Sequence, residues 1–205
     1  MSHTLGKRQA QKEQTRQALL DAALTLLADQ SLSSLGLREV TRAAGIAPTA
    51  FYRHFHSTAD LGIALVEQAL GSLHEMIGIT LAAPGGIDER IARSVDLIAG
   101  HVRRHPAHVR FVAREQHGGV SPVREAIARQ LDQFSLEVRT ELARRPESRG
   151  WDDDDLLMLA RLYVNHMVMT AAAILEAPPE GLEAVTELAR RQMRLMSLGR
   201  RHWLD

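Results

Sequence analysis

The stretch GLREVTRAAGIAPTAFYRHF, residues 36–55, decides how the rest of the chain is read. Leu37, Val40 and Ala44 share one face of a short helix over residues 37–44, and Gly45 supplies the positive φ that a tight interhelical turn requires. Pro48 suits the first turn of a second short helix running to Phe55, because the N–H it lacks would have no intrahelical partner there. Leu37, Val40, Ala44, Ile46, Phe51 and Phe55 form the packing face. Two short helices about a glycine turn make the layout that lets the second helix enter a DNA major groove. Thr49, Tyr52, Arg53 and His54 are left for the nucleic acid, with hydroxyl, phenol, guanidinium and imidazole groups suited to phosphates and base edges. Arg53 is the candidate for a bidentate base contact. Arg38 and Arg42, with Lys7, Arg8 and Lys12 on the N-terminal arm, are candidates for backbone phosphates, which position the protein without specifying sequence.

Outward from this motif the period stays helical. Leu20, Ala23, Leu24 and Leu27 fall at i, i+3, i+4 and i+7 of a first helix expected to begin near Arg8. Downstream, Ser57 and Asp60 resemble a capping box opening a long helix that carries Leu61, Leu65, Ala69, Leu73, Met76 and Ile77 and stops before Pro84-Gly85-Gly86. Further helices are expected over residues 87–105, 106–117, 121–145, 152–176 and 180–203, separated by proline and glycine. No stretch alternates with period two, and aromatic residues make up only 4%. The fold class expected is all-α: an N-terminal three-helix helix-turn-helix domain, residues 1–56, joined to a C-terminal helical domain, residues 57–205, for ligand binding and dimerisation.

The bulk properties constrain function mostly by exclusion. With 25 basic and 25 acidic residues, the net balance demands no nucleic-acid or membrane partner, but its distribution is uneven. Residues 7–56 hold Lys7, Arg8, Lys12, Arg16, Arg38, Arg42 and Arg53 against Glu13, Asp21, Asp29 and Glu39. The first segment is therefore basic. The absence of cysteine removes disulfides, thiolate zinc sites and cysteine nucleophiles. No uninterrupted apolar run approaches the roughly 20 residues of a membrane span, so the chain is read as soluble and cytoplasmic, with no membrane partner. No G-x-S-x-G elbow, phosphate-cradling glycine loop or Glu-x-x-His pair supports catalysis, and an enzyme is not expected.

At residues 36–55 the chain resembles the TetR family of one-component repressors, with FYRHF followed by Ser57 and Leu61 as the specific match. Three positions depart from the family pattern: Ala47 where a capping serine is frequent, Ala50 where threonine or glycine is, and Thr58 where a phosphate-binding lysine is. These departures move the phosphate grip towards Tyr52, His54 and the arm. The segments QKEQTRQALLDAAL, LREVTRAAGIAPTAFYRHF, ADLGIALVEQ and REQHG (residues 114–118) are similar to the FabR and DesT branch, repressors of unsaturated fatty acid synthesis and acyl desaturation. The resemblance implies a homodimeric repressor on a double-stranded, palindromic DNA operator, with long-chain acyl-CoA or an acyl carrier protein thioester as effector and no cofactor. A regulator of efflux with another hydrophobic ligand remains the alternative.

An acyl chain needs a long apolar tunnel, and the phosphates of its carrier favour arginine near solvent. Leu73, Met76, Ile77, Val95, Ile98, Val102, Phe111, Val112, Phe134, Val138, Val164, Met167, Val168 and Ile174 are candidates for the lining, against the alternative of an ordinary core. Arg103, Arg104, Arg110 and Arg114 are candidates for the phosphates, against the alternative of solvated helix arginines. His101, His105 and His108 fall at i, i+4 and i+7, but Pro106 breaks that face, and a favourable interaction with a helix C-terminus explains them more simply than a metal. Asp152 to Asp155 read as a charged helix start. No metal site is expected. The break at Pro178-Pro179 between two apolar helices suits an antiparallel pair that a twofold axis turns into a four-helix interface, setting two recognition helices ~34 Å apart.

Overall fold

The structure, a computed structural model, describes residues 2–203. Every regular element among them is helical, as the period of the apolar residues predicts. The helices are α1 (Ser2–Leu26), α2 (Leu37–Ala43), α3 (Pro48–Phe51), α4 (Thr58–Ala82), α5 (Ile87–Arg104), α6 (Pro106–Glu115), α7 (Ser121–Ala143), α8 (Asp153–Glu176) and α9 (Leu182–Arg201), with short 3-10 turns at Leu32–Ser34, Pro146–Ser148 and Pro179–Gly181.

Local chemistry accounts for the boundaries. At the start of α4 the Ser57 hydroxyl accepts from the Asp60 N–H at 3.1 Å, and the Asp60 carboxylate accepts from the His56 N–H at 2.9 Å. At the start of α8 the Asp152 carboxylate accepts from the Asp155 N–H at 2.8 Å, and Asp153, Asp154 and Asp155 occupy its first turn, where carboxylates meet the positive end of the helix dipole. Two boundaries differ from expectation. α1 begins at Ser2 rather than near Arg8, an extension that the composition of residues 2–7 does not explain. α3 keeps only four α-helical residues. Beyond it the chain tightens, with Arg53 N–H bonding Ala50 C=O and His54 N–H bonding Phe51 C=O, before Phe55 N–H returns to Phe51 C=O.

The chain packs as two compact units, one of residues 2–69 and 110–127 and the other of residues 70–109 and 128–203. In the first, Leu19, Ala23, Leu27, Leu32, Val40, Phe51, Phe55, Leu61, Leu65, Phe111, Val123 and Ile127 are all buried, each large side chain contributing about 1.5–3 kcal/mol when removed from water. Gly62 lets α4 close on this core, since a Cβ there would lie 2.5 Å from Leu32 Cδ2 and 2.8 Å from Val123 Cγ2. Packing thus groups the first half of α4, the end of α6 and the start of α7 with the helix-turn-helix segment. In the second unit α5, α8 and α9 pack on one another, burying Ile91, Val95, Ala99, Val102, Leu159, Ala160, Ile174, Ala189 and Met193.

Candidate nucleic-acid interface

The turn between α2 and α3 is built as its residues dictate. Gly45 adopts φ +66°, a left-handed conformation costly for any side chain, and the Ile46 N–H folds back onto Thr41 C=O at 2.9 Å. Ala47 caps α3 by extended backbone alone, with no side-chain bond, and Pro48 follows in the first turn. Below the turn Val40, Phe51 and Phe55 are buried, with the Phe51 and Phe55 ring centroids 5.6 Å apart. Leu37, Ala44 and Ile46 are half-buried. Arg16 of α1 places its guanidinium 4.6 Å from the centre of the Phe55 ring, a cation–π contact that ties α1 to the recognition segment.

This packing presents the remaining side chains outward. Thr49, Tyr52 and Arg53 are exposed, Tyr52 to 61% despite its aromatic ring. An amphipathic phenol left in water beside an exposed guanidinium suits a polyanionic partner. Lys7, Arg8, Lys12, Arg38 and Arg42 are also exposed. His54 differs from the rest: it is half-buried, and desolvation, followed by the charges of Lys12 and Arg16, holds its imidazole below the usual histidine range.

Residues 114–118 play a part in this unit that periodicity gave no reason to expect. The Arg114 guanidinium donates to the carbonyls of Leu27 (2.9 Å), Ala28 (3.2 Å) and Gln30 (2.6 Å) where α1 ends. It thereby supplies partners for carbonyls that a helix C-terminus leaves open. Glu115, buried to 1% exposure, accepts from the Leu32 N–H at 2.9 Å. A Cβ at Gly118 would collide with the Glu115 carboxylate. Arg114, a candidate for the carrier phosphates, therefore sits in the first unit and holds the end of α1. Phe111, a candidate for the tunnel lining, belongs to the same unit and is buried to 1% in its core.

Val112 also lies in the first unit, whereas the other candidate lining residues, Leu73, Met76, Ile77, Val95, Ile98, Val102, Phe134, Val138, Val164, Met167, Val168 and Ile174, lie in the second. Leu73, Val95, Val102, Phe134 and Val138 are buried; Met76, Ile77, Ile98, Met167 and Val168 are half-buried. Ile98 and Val102 pack with Ala99 and Ile174 in one apolar cluster. Beside Leu73, His74 stacks on Phe134 with ring centroids 4.1 Å apart, its Nδ1 2.8 Å from Glu137 Oε1 and its Nε2 2.6 Å from Gln130 Oε1. This polar triad among the apolar candidates has no sequence signature, since its members are up to 63 positions apart. Arg103, Arg104 and Arg110 are exposed. His101, His105 and His108 do gather, with ring centroids 5.1 and 5.8 Å apart. Among the described residues no group of three or more His, Asp or Glu side chains is disposed to hold a metal ion.

Comparison with known proteins agrees with this geometry. Residues 19–65 match the family described as bacterial regulatory proteins, tetR family. Among solved structures, the chain is similar to the fatty acid degradation regulator FadR from Bacillus halodurans, with TM-score 0.70 at 14% identity, covering 89% of this chain and 94% of that one. FadR from Bacillus subtilis in complex with stearoyl-CoA gives TM-score 0.70 at 15% identity over 88% and 96% of the two chains. NalD, the secondary repressor of the MexAB-OprM multidrug efflux pump in Pseudomonas aeruginosa, gives 0.66 at 19% over 89% and 96%. At such identities the likeness is one of fold. The tetR-family match is confined to residues 19–65, and over the rest of the chain the likeness is one of fold alone.

Proposed function

We propose that the protein is a ligand-responsive repressor that binds a palindromic operator as a homodimer and senses long-chain acyl-CoA, distinguishing saturated from unsaturated chains, to control fatty acid desaturation or unsaturated fatty acid synthesis. Residues 1–56 carry the DNA contacts, and residues 57–205 the ligand and dimer functions. The observation that carries the reading is the exposed face of Thr49, Tyr52 and Arg53 on a buried aromatic base, flanked by Lys7, Arg8, Arg38 and Arg42. The effector class is supported by the similarity of residues 114–118 to the branch that represses unsaturated fatty acid synthesis, and by the fold shared with a regulator solved with stearoyl-CoA. The acyl chain lies among the second-unit candidates, where the His74, Glu137 and Gln130 triad gives the apolar wall a polar point for a thioester or a kinked chain.

The homodimer reading rests on α8 and α9. Met158, Leu162 and Met169 follow one face of α8, and Leu188, Leu195 and Leu198 one face of α9, yet all six are exposed, Met169 and Leu195 to 70%. Apolar side chains concentrated on two adjacent helices mark an interaction surface. α8 is also long and apolar enough to cross a membrane by length and composition, with only 33% of that stretch buried, a property its sequence of short apolar runs did not suggest. A twofold four-helix contact gives that face a partner within a cytoplasmic DNA-binding protein.

Signalling then follows from chain continuity: α4 has residues 58–69 in the first unit and 70–82 in the second. A ligand that binds two arrangements of α4 with different affinity shifts the spacing of the recognition segments, and with it operator affinity. Fluorescence anisotropy of an operator duplex from the upstream region, titrated with stearoyl-CoA and oleoyl-CoA, tests the effector. Operator affinity is expected to change with both and by different amounts. Unchanged affinity with both, on DNA that still binds, would refute it and favour the efflux-type reading to which the fold shared with NalD lends support.

A further inference from the structure

Glu115, at the end of α6, is the one acidic side chain buried among the described residues, at 1% exposure. A carboxyl group is costly to take out of water, and hydrogen bonds have to offset that cost. Here they do so only in part. Oε1 accepts from the Leu32 N–H at 2.9 Å, whereas Oε2 is buried without a partner among the described residues. An apolar side chain of similar size would avoid the cost altogether. Glu115 is thus a poor source of stability, and what it supplies is direction: one bond that fixes one backbone N–H.

That N–H lies in the connection between α1 and α2, residues 27–36, on which the helix-turn-helix segment hangs. Leu32 is held from two sides. Its side chain, 1% exposed, fills the space that Gly62 of α4 leaves open, where a Cβ would lie 2.5 Å from Leu32 Cδ2. Its N–H is held by Glu115. Just upstream, Arg114 takes the carbonyls of Leu27, Ala28 and Gln30, so two consecutive residues of α6 fasten most of the first half of the connection. Gln30 Nε2 donates in turn to Glu39 Oε1 of α2 at 3.0 Å. Gly118 leaves room for the arrangement, since a side chain there would collide with the Glu115 carboxyl. The placement of α2 on α4 therefore depends on a bond made by α6.

We propose that Glu115 is a positioning residue for operator recognition: through the Leu32 N–H it holds the α1–α2 connection, and with it the recognition segment, in the placement that base contacts require, and Gly118 keeps its carboxyl there. The proposal rests on the α2–α3 face binding DNA and is independent of the effector. Phosphate contacts tolerate a shift of the segment, because non-specific binding reads charge. Base contacts in two half-sites do not. Loss of the Glu115 bond therefore separates the two affinities.

The test is fluorescence anisotropy of the full chain on an operator duplex and on a scrambled duplex of equal length, at one salt concentration and below the unfolding temperature of each variant. Glu115→Ala is expected to weaken operator binding about tenfold and to leave the scrambled duplex within about twofold of wild type. Gly118→Ala, which displaces the carboxyl, is expected to do the same and to add little in the Glu115→Ala background. It removes no core atom, and so carries the test even where Glu115→Ala fails to fold. Glu115→Gln, which keeps an acceptor for the Leu32 N–H, is expected to stay within about threefold of wild type on the operator. A Glu115 that served stability alone would lower Tm and move neither affinity. Tyr52→Ala separates this proposal from the reading beneath it: retained operator binding in that variant overturns both. Lost binding there, with Glu115→Ala and Gly118→Ala equal to wild type or equally weakened on both duplexes, overturns the positioning role alone.

Discussion

At the scale of single residues, the protein places two side chains, Arg114 and His101, where their chemistry has measurable consequences. Arg114 is largely in solvent, yet it bonds three carbonyls at the end of α1. Each such charge-assisted bond is worth little in water but more when it satisfies a helix terminus. Arg114→Met is expected to lower the stability of the chain by about 1–2 kcal/mol, read as a fall in the urea midpoint. An unchanged midpoint would show that those carbonyls are as well served by water. His101 behaves differently. Burial first, then the neighbouring His105, Arg104 and His108, hold its folded pKa down to about 4, against an ordinary histidine value of 6.5. The native state therefore binds fewer protons than the unfolded chain between those values. Stability is full above about pH 6.5, declines as pH falls towards 4, and loses at most roughly 3 kcal/mol from this group. Urea titrations between pH 7 and 4 are expected to show that decline, and His101→Gln to flatten it; an identical slope in the variant would contradict the assignment.

At the scale of elements, the helix-turn-helix segment was readable because each of its features is local. Gly45 takes the positive φ that its place between two apolar patterns implies, Pro48 stands in the first turn of α3, and Phe51 and Phe55 bury as their spacing requires. Gly45→Ala meets no steric obstacle, so its cost is the left-handed backbone alone, about 1–2 kcal/mol. Thermal denaturation checks that magnitude, and a neutral substitution would mean the turn relaxes without cost. What was not readable is non-local. The Arg114 and Glu115 contacts join residues more than 80 positions apart, and the His74 triad spans α4 and α7. Periodicity reports which face of a helix is apolar, not which helix meets it. Phe111 reads as a tunnel candidate and Arg114 as a phosphate candidate for that reason: their residue types suit those roles, and only packing shows that both lie in the first unit. The shortness of α3 escaped for a related reason: a tight 3-10-like turn keeps nearly the same apolar spacing as an α-helical one.

At the scale of the whole molecule, neutrality overall with a basic first segment describes a protein whose DNA affinity is carried by a few contacts rather than by net charge. In the proposed homodimer the exposed apolar faces of α8 and α9 form the contact that pairs two recognition segments, since one protomer supplies only one. Leu162→Glu and Leu195→Glu place charge on that face without disturbing a buried core. They are expected to give a folded monomer in sedimentation and at least a hundredfold weaker operator binding. A dimer retained in both variants would move the interface elsewhere. If Lys7, Arg8, Arg38 and Arg42 of both protomers contact phosphates, operator affinity falls by about 10⁴-fold between roughly 50 and 200 mM salt.

The central claim, that the α2–α3 face binds DNA, is tested most directly by measuring operator affinity for the wild type, Tyr52→Ala and Arg53→Ala at fixed salt, with oligomeric state monitored in parallel. Both substitutions remove exposed groups and leave the Phe51 and Phe55 base intact. The account predicts loss of specific operator binding in each variant with folding and association unchanged. Wild-type affinity in both would contradict it.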